Sequence, residues 1–258
     1  MIPKIIHYCW FGNGEKNDVI KKCIESWKVN CPDYEIMEWN ESNFDVNAYA
    51  FTKEAYENKK WAFVSDVARL EALIQYGGFY MDTDVEILQK DIFNKYRQYQ
   101  NVFAFETERR IATGLFCGCE KSSKIFSDFL ACYQTLTFEG GWNNLNTTLN
   151  TPVLEETYPS LIWNNKAQLI GNTYFLDMNE YGKIMKHYAM HSWLDNKTEF
   201  KLGKETRFKK ALRNPKIYSF LKKHFGNGAV NAYEFFSYDL LDMGVWYFIK
   251  RKFSKKKK

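Results

Sequence analysis

The stretch Phe63–Leu88, FVSDVARLEALIQYGGFYMDTDVEIL, decides the fold. Its first half completes a helix running from Trp61 to Gln75, with Ala62, Phe63, Val67, Leu70 and Ile74 on or beside one buried face. Gly77 and Gly78 end that helix, because glycine accepts the left-handed conformation of a C-cap. Phe79-Tyr80-Met81 then reads as a short apolar strand that delivers Asp82-Thr83-Asp84 to its end, and Val85 to Leu88 reads as further extended chain.

Upstream, Ile2 to Phe11 is apolar and ends at Gly12, as a buried first strand followed by a loop would. From Val19 to Val29, residues Ile20, Cys23, Ile24 and Trp27 fall at helical spacing, and Tyr34 to Trp39 alternates as a second strand would. Strand, helix, strand predicts a βαβ unit and a parallel sheet. Downstream, Asn101 to Glu106 predicts a strand and Ser122 to Thr135 a helix. The Asn- and Thr-rich stretch from Asn143 to Pro152 predicts a loop.

Two carboxylates one residue apart point the same way along an extended chain. They repel each other unless a cation lies near them. Carboxylate oxygens suit Mg²⁺ or Mn²⁺, ions that keep positions open for phosphate oxygens. An Asp-x-Asp by itself is common in solvated turns, so its neighbours matter. Asp66 and Arg69 lie three residues apart on one helix face, either as an intrahelical ion pair or as ligand contacts. Arg69 offers a planar fork of donors for phosphate or sugar oxygens, and Asp66 accepts from sugar hydroxyls.

The combination of Ser65-Asp66, Arg69, Gly77-Gly78, Tyr80 and Asp82-Thr83-Asp84 resembles the signature of glycosyltransferase family 32. That family holds capsular and lipopolysaccharide transferases and Och1-like mannosyltransferases, and it is similar to the glucosyltransferase domains of large clostridial toxins. The opening Ile2 to Gly12 looks like the family's first strand. Ala189-Met190-His191-Ser192-Trp193 resembles its C-terminal His-and-Trp motif, although the family usually separates the His from a later Ser-Trp. Thr151-Pro152 falls where many relatives carry Gly-Pro.

The resemblance implies a Rossmann-like α/β fold of the GT-A type and transfer of a hexose from a nucleotide sugar to a glycan with retention of anomeric configuration. Carried over residue by residue, it implies that Asp84 binds the metal and that Asp82 binds the metal or the donor ribose. His191 becomes a candidate third metal ligand. Asp66 and Arg69 hold the sugar and phosphate side of the donor, Ser65, Tyr80 and Trp193 line the pocket, and Trp10 either stacks on the donor base or belongs to the core. A UDP-sugar is favoured, with GDP-mannose as the other candidate. The route to retention stays open between same-face attack and double displacement.

Composition narrows the remaining classes. The chain has 258 residues, 45% of them hydrophobic and 18% aromatic, enough for one large domain with a sizeable core. Its six cysteines show no zinc-site spacing and read as reduced thiols. No leader pattern opens the sequence, and no apolar run is long enough to cross a bilayer, so a cytoplasmic protein is expected.

Residues 201 to 258 carry 16 basic and 4 acidic side chains, against 20 basic and 27 acidic in the first 200. A transferase domain over 1–200 with a basic, helical C-terminal extension over 201–258 follows. Val245 to Ile249 is aromatic and apolar, and seven of the final nine residues are basic. That composition suits an anchor on an anionic membrane surface near a lipid-linked acceptor, with no nucleic-acid partner. A metal-dependent phosphoester hydrolase would need a second His and Asp cluster, which the sequence lacks. A non-enzymatic membrane-surface or glycan-binding protein would leave the acidic cluster of the body without a purpose.

Overall fold

The computed structural model describes residues 1–138 and 144–189. The expected C-terminal extension, with its aromatic and basic tail, lies outside the described residues, as do His191 and Trp193.

The first strand, β1 (Ile5–Cys9), leads into helix α1 (Asp18–Asn30) and strand β2 (Glu35–Trp39). The Asn17 side chain caps α1 by accepting from the Ile20 amide, and Ile20, Cys23 and Trp27 bury the apolar face that their spacing predicts. β1 and β2 pair in parallel, Ile5 opposite Glu35 through Cys9 opposite Trp39. Helix α2 (Ala50–Glu57), which propensity alone does not announce, packs on α3 (Trp61–Tyr76). After α3 come β3 (Gly78–Tyr80), β4 (Val85–Ile87), β5 (Asn101–Thr107), β6 (Arg110–Ile111) and β7 (Cys117–Cys119). Helices α4 (Lys124–Ala131) and α5 (Asn146–Thr157), strands β8 (Gln168–Ile170) and β9 (Thr173–Leu176), helix α6 (Met178–Ile184) and strand β10 (Met185–His187) complete the described chain.

The main sheet runs β2-β1-β3-β7-β5-β9-β8, with β6 paired to β5. β2, β1, β3, β5 and β9 point one way, and β7 enters between β3 and β5 reversed. This is an α/β architecture, as the sequence predicts: a central, mostly parallel sheet with helices packed on it. In such a sheet, ligands bind beyond the carboxyl ends of the parallel strands. The end of β3 is where Asp82 and Asp84 emerge. Because β1 runs parallel to β3, with Ile6 opposite Phe79 and His7 opposite Tyr80, Trp10 leaves the sheet at that same edge.

Three local expectations change. First, α3 is buried almost all round rather than on one face. Every residue from Phe63 to Leu70 is buried, and so are Ala72 and Leu73, because the helix is enclosed by the sheet, α2 and α4. Its polar residues Ser65, Asp66 and Arg69 must therefore find partners inside the protein. Second, Asn143 to Pro152 is not simply a loop. From Asn146 onward it belongs to α5, despite Pro152 inside the helix. Packing against α4 and burial of Asn150 and Leu154 override the weak helix propensity of this Asn- and Thr-rich segment.

Third, Asp82-Thr83-Asp84 is a turn, not extended chain. The Val85 amide donates back to the Asp82 carbonyl, and β4 then pairs antiparallel with β10 in a separate two-stranded sheet. The two carboxylates thus leave a bend and meet different surroundings.

Gly77 and Gly78 have φ of +67° and +104°, as the sharp α3–β3 connection requires. A Cβ on Gly78 would also press on the Ile5 carbonyl.

Candidate functional site

Arg69 is the centre of one half of the site. Its side chain is only 3% exposed, and it lies 2.9 Å from Asp66 Oδ1 and 3.4 Å from Asp82 Oδ1. Its Nε donates to the Ser65 carbonyl at 3.1 Å, and another guanidinium nitrogen meets Thr113 Oγ1 at 3.5 Å. The guanidinium also stacks over the Tyr80 ring at 4.6 Å. Burial opposes the charge on Arg69, but Tyr80, Asp82 and Asp66 more than restore it. A charge so enclosed is fixed in place before any ligand arrives, because its donors are already directed to protein oxygens.

Asp66 is buried beside it and also accepts a hydrogen bond from Asn146 Nδ2 at 2.8 Å. Burial pushes its carboxyl up to about 7, against the pull of Arg69, and the charge on Asp82 adds to the rise while Asn146 counters it. Asp82 accepts from the Tyr80 hydroxyl at 2.9 Å, and its side chain is 39% exposed, the most open of the acidic groups in this network. Gly114 closes over the pair: its carbonyl accepts from the Asp82 amide, and a Cβ there would overlap the Asp82 carboxylate and the Arg69 guanidinium.

Asp84 belongs to the other half. Its side chain is 12% exposed and sits 3.3 Å from His187 Nε2, the last residue of β10. Burial works against charge on His187. The hydrogen bond to Asp84 and the charges of Asp84, Asp82 and Glu106 outweigh it and hold the imidazole above its ordinary value. The Tyr188 amide donates to the Asp84 carbonyl, and the Tyr188 hydroxyl to Glu86 at 2.7 Å.

The structure therefore brings together Ser65, Asp66, Arg69, Tyr80, Asp82 and Asp84. Ser65 and Tyr80 stand mostly behind the site, since Ser65 Oγ donates to the Trp61 carbonyl and Tyr80 is 1% exposed. Trp10 is half-buried at the same sheet edge. Its indole N–H donates to the Gly14 carbonyl, and Lys16 Nζ lies 5.4 Å from the ring centre.

Three site residues were missed from sequence. Asn146 lies in a stretch whose composition predicts a loop, and Gly114 carries no local motif. The motif resemblance points to His191, which lies outside the described residues, but His187 carries a signal of its own: four residues separate it from Ser192-Trp193, and a gap between His and Ser-Trp is the spacing the resemblance carries.

Among the described residues, no group of three or more His, Cys, Asp or Glu is gathered closely enough to hold a metal by itself. A cavity of about 860 Å³ lies elsewhere, at the starts of β5 and β9. Its floor of Asn101, Ser123, Tyr158 and Thr173 is mutually hydrogen-bonded and holds none of the acidic site residues.

Residues 17–103 match the family described as glycosyltransferase sugar-binding region containing DXD motif. Over that third of its length the chain is similar to glycosyltransferase regions of the DXD type. The match encloses α1, α3 and the Asp82-Thr83-Asp84 turn. It agrees with the resemblance to the family-32 transferases. Among solved structures the chain is similar to the PaToxG glycosyltransferase, at 19% identity over 62% of this chain and 71% of that one, with a TM-score of 0.49. It is also similar to a glycosyltransferase involved in the glycosylation of the major capsid of PBCV-1, at 13% identity over 72% and 94%, with a TM-score of 0.41. No curated protein matches the sequence. No helix among the described residues is long and apolar enough to cross a membrane.

Proposed function

We propose that the protein transfers a hexose from a nucleotide sugar, a UDP-sugar before a GDP-sugar, to a glycan hydroxyl with retention of anomeric configuration. The observation that carries this reading is the prearranged network of Asp66, Arg69 and Asp82 at the carboxyl end of β3, with Asp84 and His187 beside it. Asp66 and Asn146 offer an acceptor and a donor to sugar hydroxyls. Arg69, fixed by its buried partners, holds positive charge next to the bond that breaks.

Asp82 and Asp84, whose carboxylate oxygens suit Mn²⁺ or Mg²⁺, would hold the cation of the donor diphosphate, with the His187 imidazole beside Asp84. Such a cation, when bound, would neutralise charge on the diphosphate. His191 and Trp193 remain candidates for the same cation and donor.

In the transfer, the bond from the anomeric carbon to the diphosphate oxygen breaks and a bond to the acceptor oxygen forms. In same-face attack, the acceptor's proton passes to the departing diphosphate. Asp66 orients the sugar for that attack, and Arg69 stabilises the charge that develops on the leaving group. The capsule or lipopolysaccharide role, the lipid-linked acceptor and the anchor in 245–258 belong to the same proposal. They rest on family likeness and on the basic, aromatic tail.

The test is a panel of nucleotide sugars with Mn²⁺, scored for release of the nucleoside diphosphate. One donor of the panel is expected to turn over, and chelator to abolish it. No turnover of any donor, with or without glycan acceptors, sinks the reading. Trp10→Ala checks the donor base: stacking predicts a loss of ~1–3 kcal/mol in nucleotide binding without loss of stability. Unchanged affinity with a lowered melting temperature assigns Trp10 to the core.

A further inference from the structure

Helix α5 connects the acidic site to a second feature. Near its start, Asn146 bonds Asp66; near its end, Val153, Glu156 and Thr157 stand on the cavity of about 860 Å³ at the starts of β5 and β9. At the ordinary helical rise, Asn146 and Glu156 are about 15 Å apart. The cavity is of a size that small ligands occupy, about 300–1,000 Å³. Its mouth opens to solvent between Lys124, Thr157 and the β8–β9 turn at Gly171-Asn172, all of them exposed.

The floor carries polar groups with one proton too many. Ser123 Oγ donates to Asn101 Oδ1 at 2.6 Å. Asn101 Nδ2 donates to Thr173 Oγ1 at 3.1 Å and reaches the Tyr158 hydroxyl at 3.5 Å. The Tyr158 and Thr173 hydroxyls are 2.9 Å apart, and only one of their two protons can lie between them. The other finds no acceptor among the described residues. On the rim, the exposed side-chain amides of Gln100 and Asn172 are likewise unengaged by any described residue, and each offers a donor and an acceptor. Ile125, Val153 and Ile170 add apolar wall between floor and rim.

Charge selects among the ligands this could take. Lys124 neutralises Asp128 at 2.6 Å, which leaves the Glu156 carboxylate as the uncompensated charge of the cavity. That charge repels phosphates and carboxylates. An uncharged ligand with many hydroxyls and an apolar ring face fits floor, rim and walls together, and a saccharide is such a ligand. We infer that this cavity is a second carbohydrate site, which holds a neutral saccharide unit of the glycan while another part of the same glycan lies at the Asp66 end of α5. The inference rests on the transferase reading above for the identity of the glycan, and the site lies outside the sequence motif.

Ligand-observed NMR titration of the full chain tests it, with glucose, galactose, mannose, N-acetylglucosamine and glucose 6-phosphate as probes. At least one neutral sugar is expected to bind, and glucose 6-phosphate to bind no better than glucose. Gln100→Ala combined with Asn172→Ala removes two exposed amides that hold nothing in the protein. It should weaken that sugar on the order of tenfold, the factor of the hydrogen bonds lost, at an unchanged melting temperature and with unchanged donor turnover. Asp82→Asn, at the acidic site, should leave the sugar affinity as in wild type. Binding of no neutral sugar, or tighter binding of glucose 6-phosphate than of glucose, overturns the inference. So does a sugar affinity that the rim variant keeps or that Asp82→Asn abolishes. Each of these results leaves the transferase reading standing as long as a nucleotide sugar turns over. Sugar binding at the rim without turnover of any donor overturns that reading and, with it, the shared glycan.

Discussion

The two aspartates of one turn live in different environments. Asp82 looks back into the main sheet, where Tyr80 and the enclosed Arg69 hold it, yet its side chain stays 39% exposed. Asp84 looks toward the small β4–β10 sheet, 12% exposed and paired with a histidine about a hundred residues later in the chain. The first half is made from one contiguous segment, Trp61 to Asp82, plus Thr113, Gly114 and Asn146. The second exists only after β10 has docked on β4. A single short motif therefore joins a locally encoded charge network to a long-range one, and the two should fail differently when broken.

Activity should show the largest effect. Asp84→Asn keeps the shape of the side chain and is expected to lose roughly a hundredfold or more in kcat, with little change in melting temperature. His187→Ala should follow it with a smaller loss, about 10- to 100-fold, the scale for a group that holds or joins a metal ligand. Steady-state turnover at saturating Mn²⁺ checks both. Full turnover by Asp84→Asn would remove the cation from the reading. Full turnover by His187→Ala alongside loss in His191→Ala would return the partnership to the residue first expected from sequence.

Stability should respond next, and only on the other side. Arg69→Met removes the partner of a buried carboxylate and leaves Asp66 uncompensated, which costs about 3–5 kcal/mol. Adding Asp66→Asn should recover much of that loss, since the stranded charge is then gone. Urea unfolding of wild type, single and double variants measures this as a cycle. If Arg69→Met unfolds at the wild-type midpoint, the network is a surface pair and its enclosure is wrong.

The same division explains what the sequence could tell. Phe63 to Leu88 carries its reading in local signals: helical spacing, a glycine stop and an apolar strand ending in acid. The strands and the helices on either side of it follow from comparable patterns, with boundaries shifted by at most four residues. What propensity hid was decided by packing. The burial of α3 on all sides turned Ser65, Asp66 and Arg69 from a surface pattern into an interior network. Docking of α5 made a helix of a segment whose Asn, Thr and Pro content argues for a loop. Asn146 reaches the site only through helix placement, for which no local pattern exists, whereas the spacing of His187 from Ser192-Trp193 is visible in the sequence.

The smallest effect separates activity from stability within one group. The Asp66 carboxyl is raised to about 7, chiefly by burial. Its ionised form is the one that pairs with Arg69 and accepts from Asn146, so kcat/KM should fall as pH drops below about 7. Stability linked to the same group runs the other way. A carboxyl whose folded value lies above its unfolded value stabilises the fold most below the unfolded value, near 4, and loses that contribution as pH rises through about 7. Asn146→Ala withdraws a donor from the ionised form, so the carboxyl should rise further. The acid limb of the kcat/KM profile then moves to higher pH, while kcat/KM well above that limb changes little if Asn146 acts only on Asp66. A large loss that persists at high pH would instead make Asn146 a direct contact of the sugar. An acid limb in the same place for both proteins would mean that Asp66 is not the group whose ionisation the reaction requires.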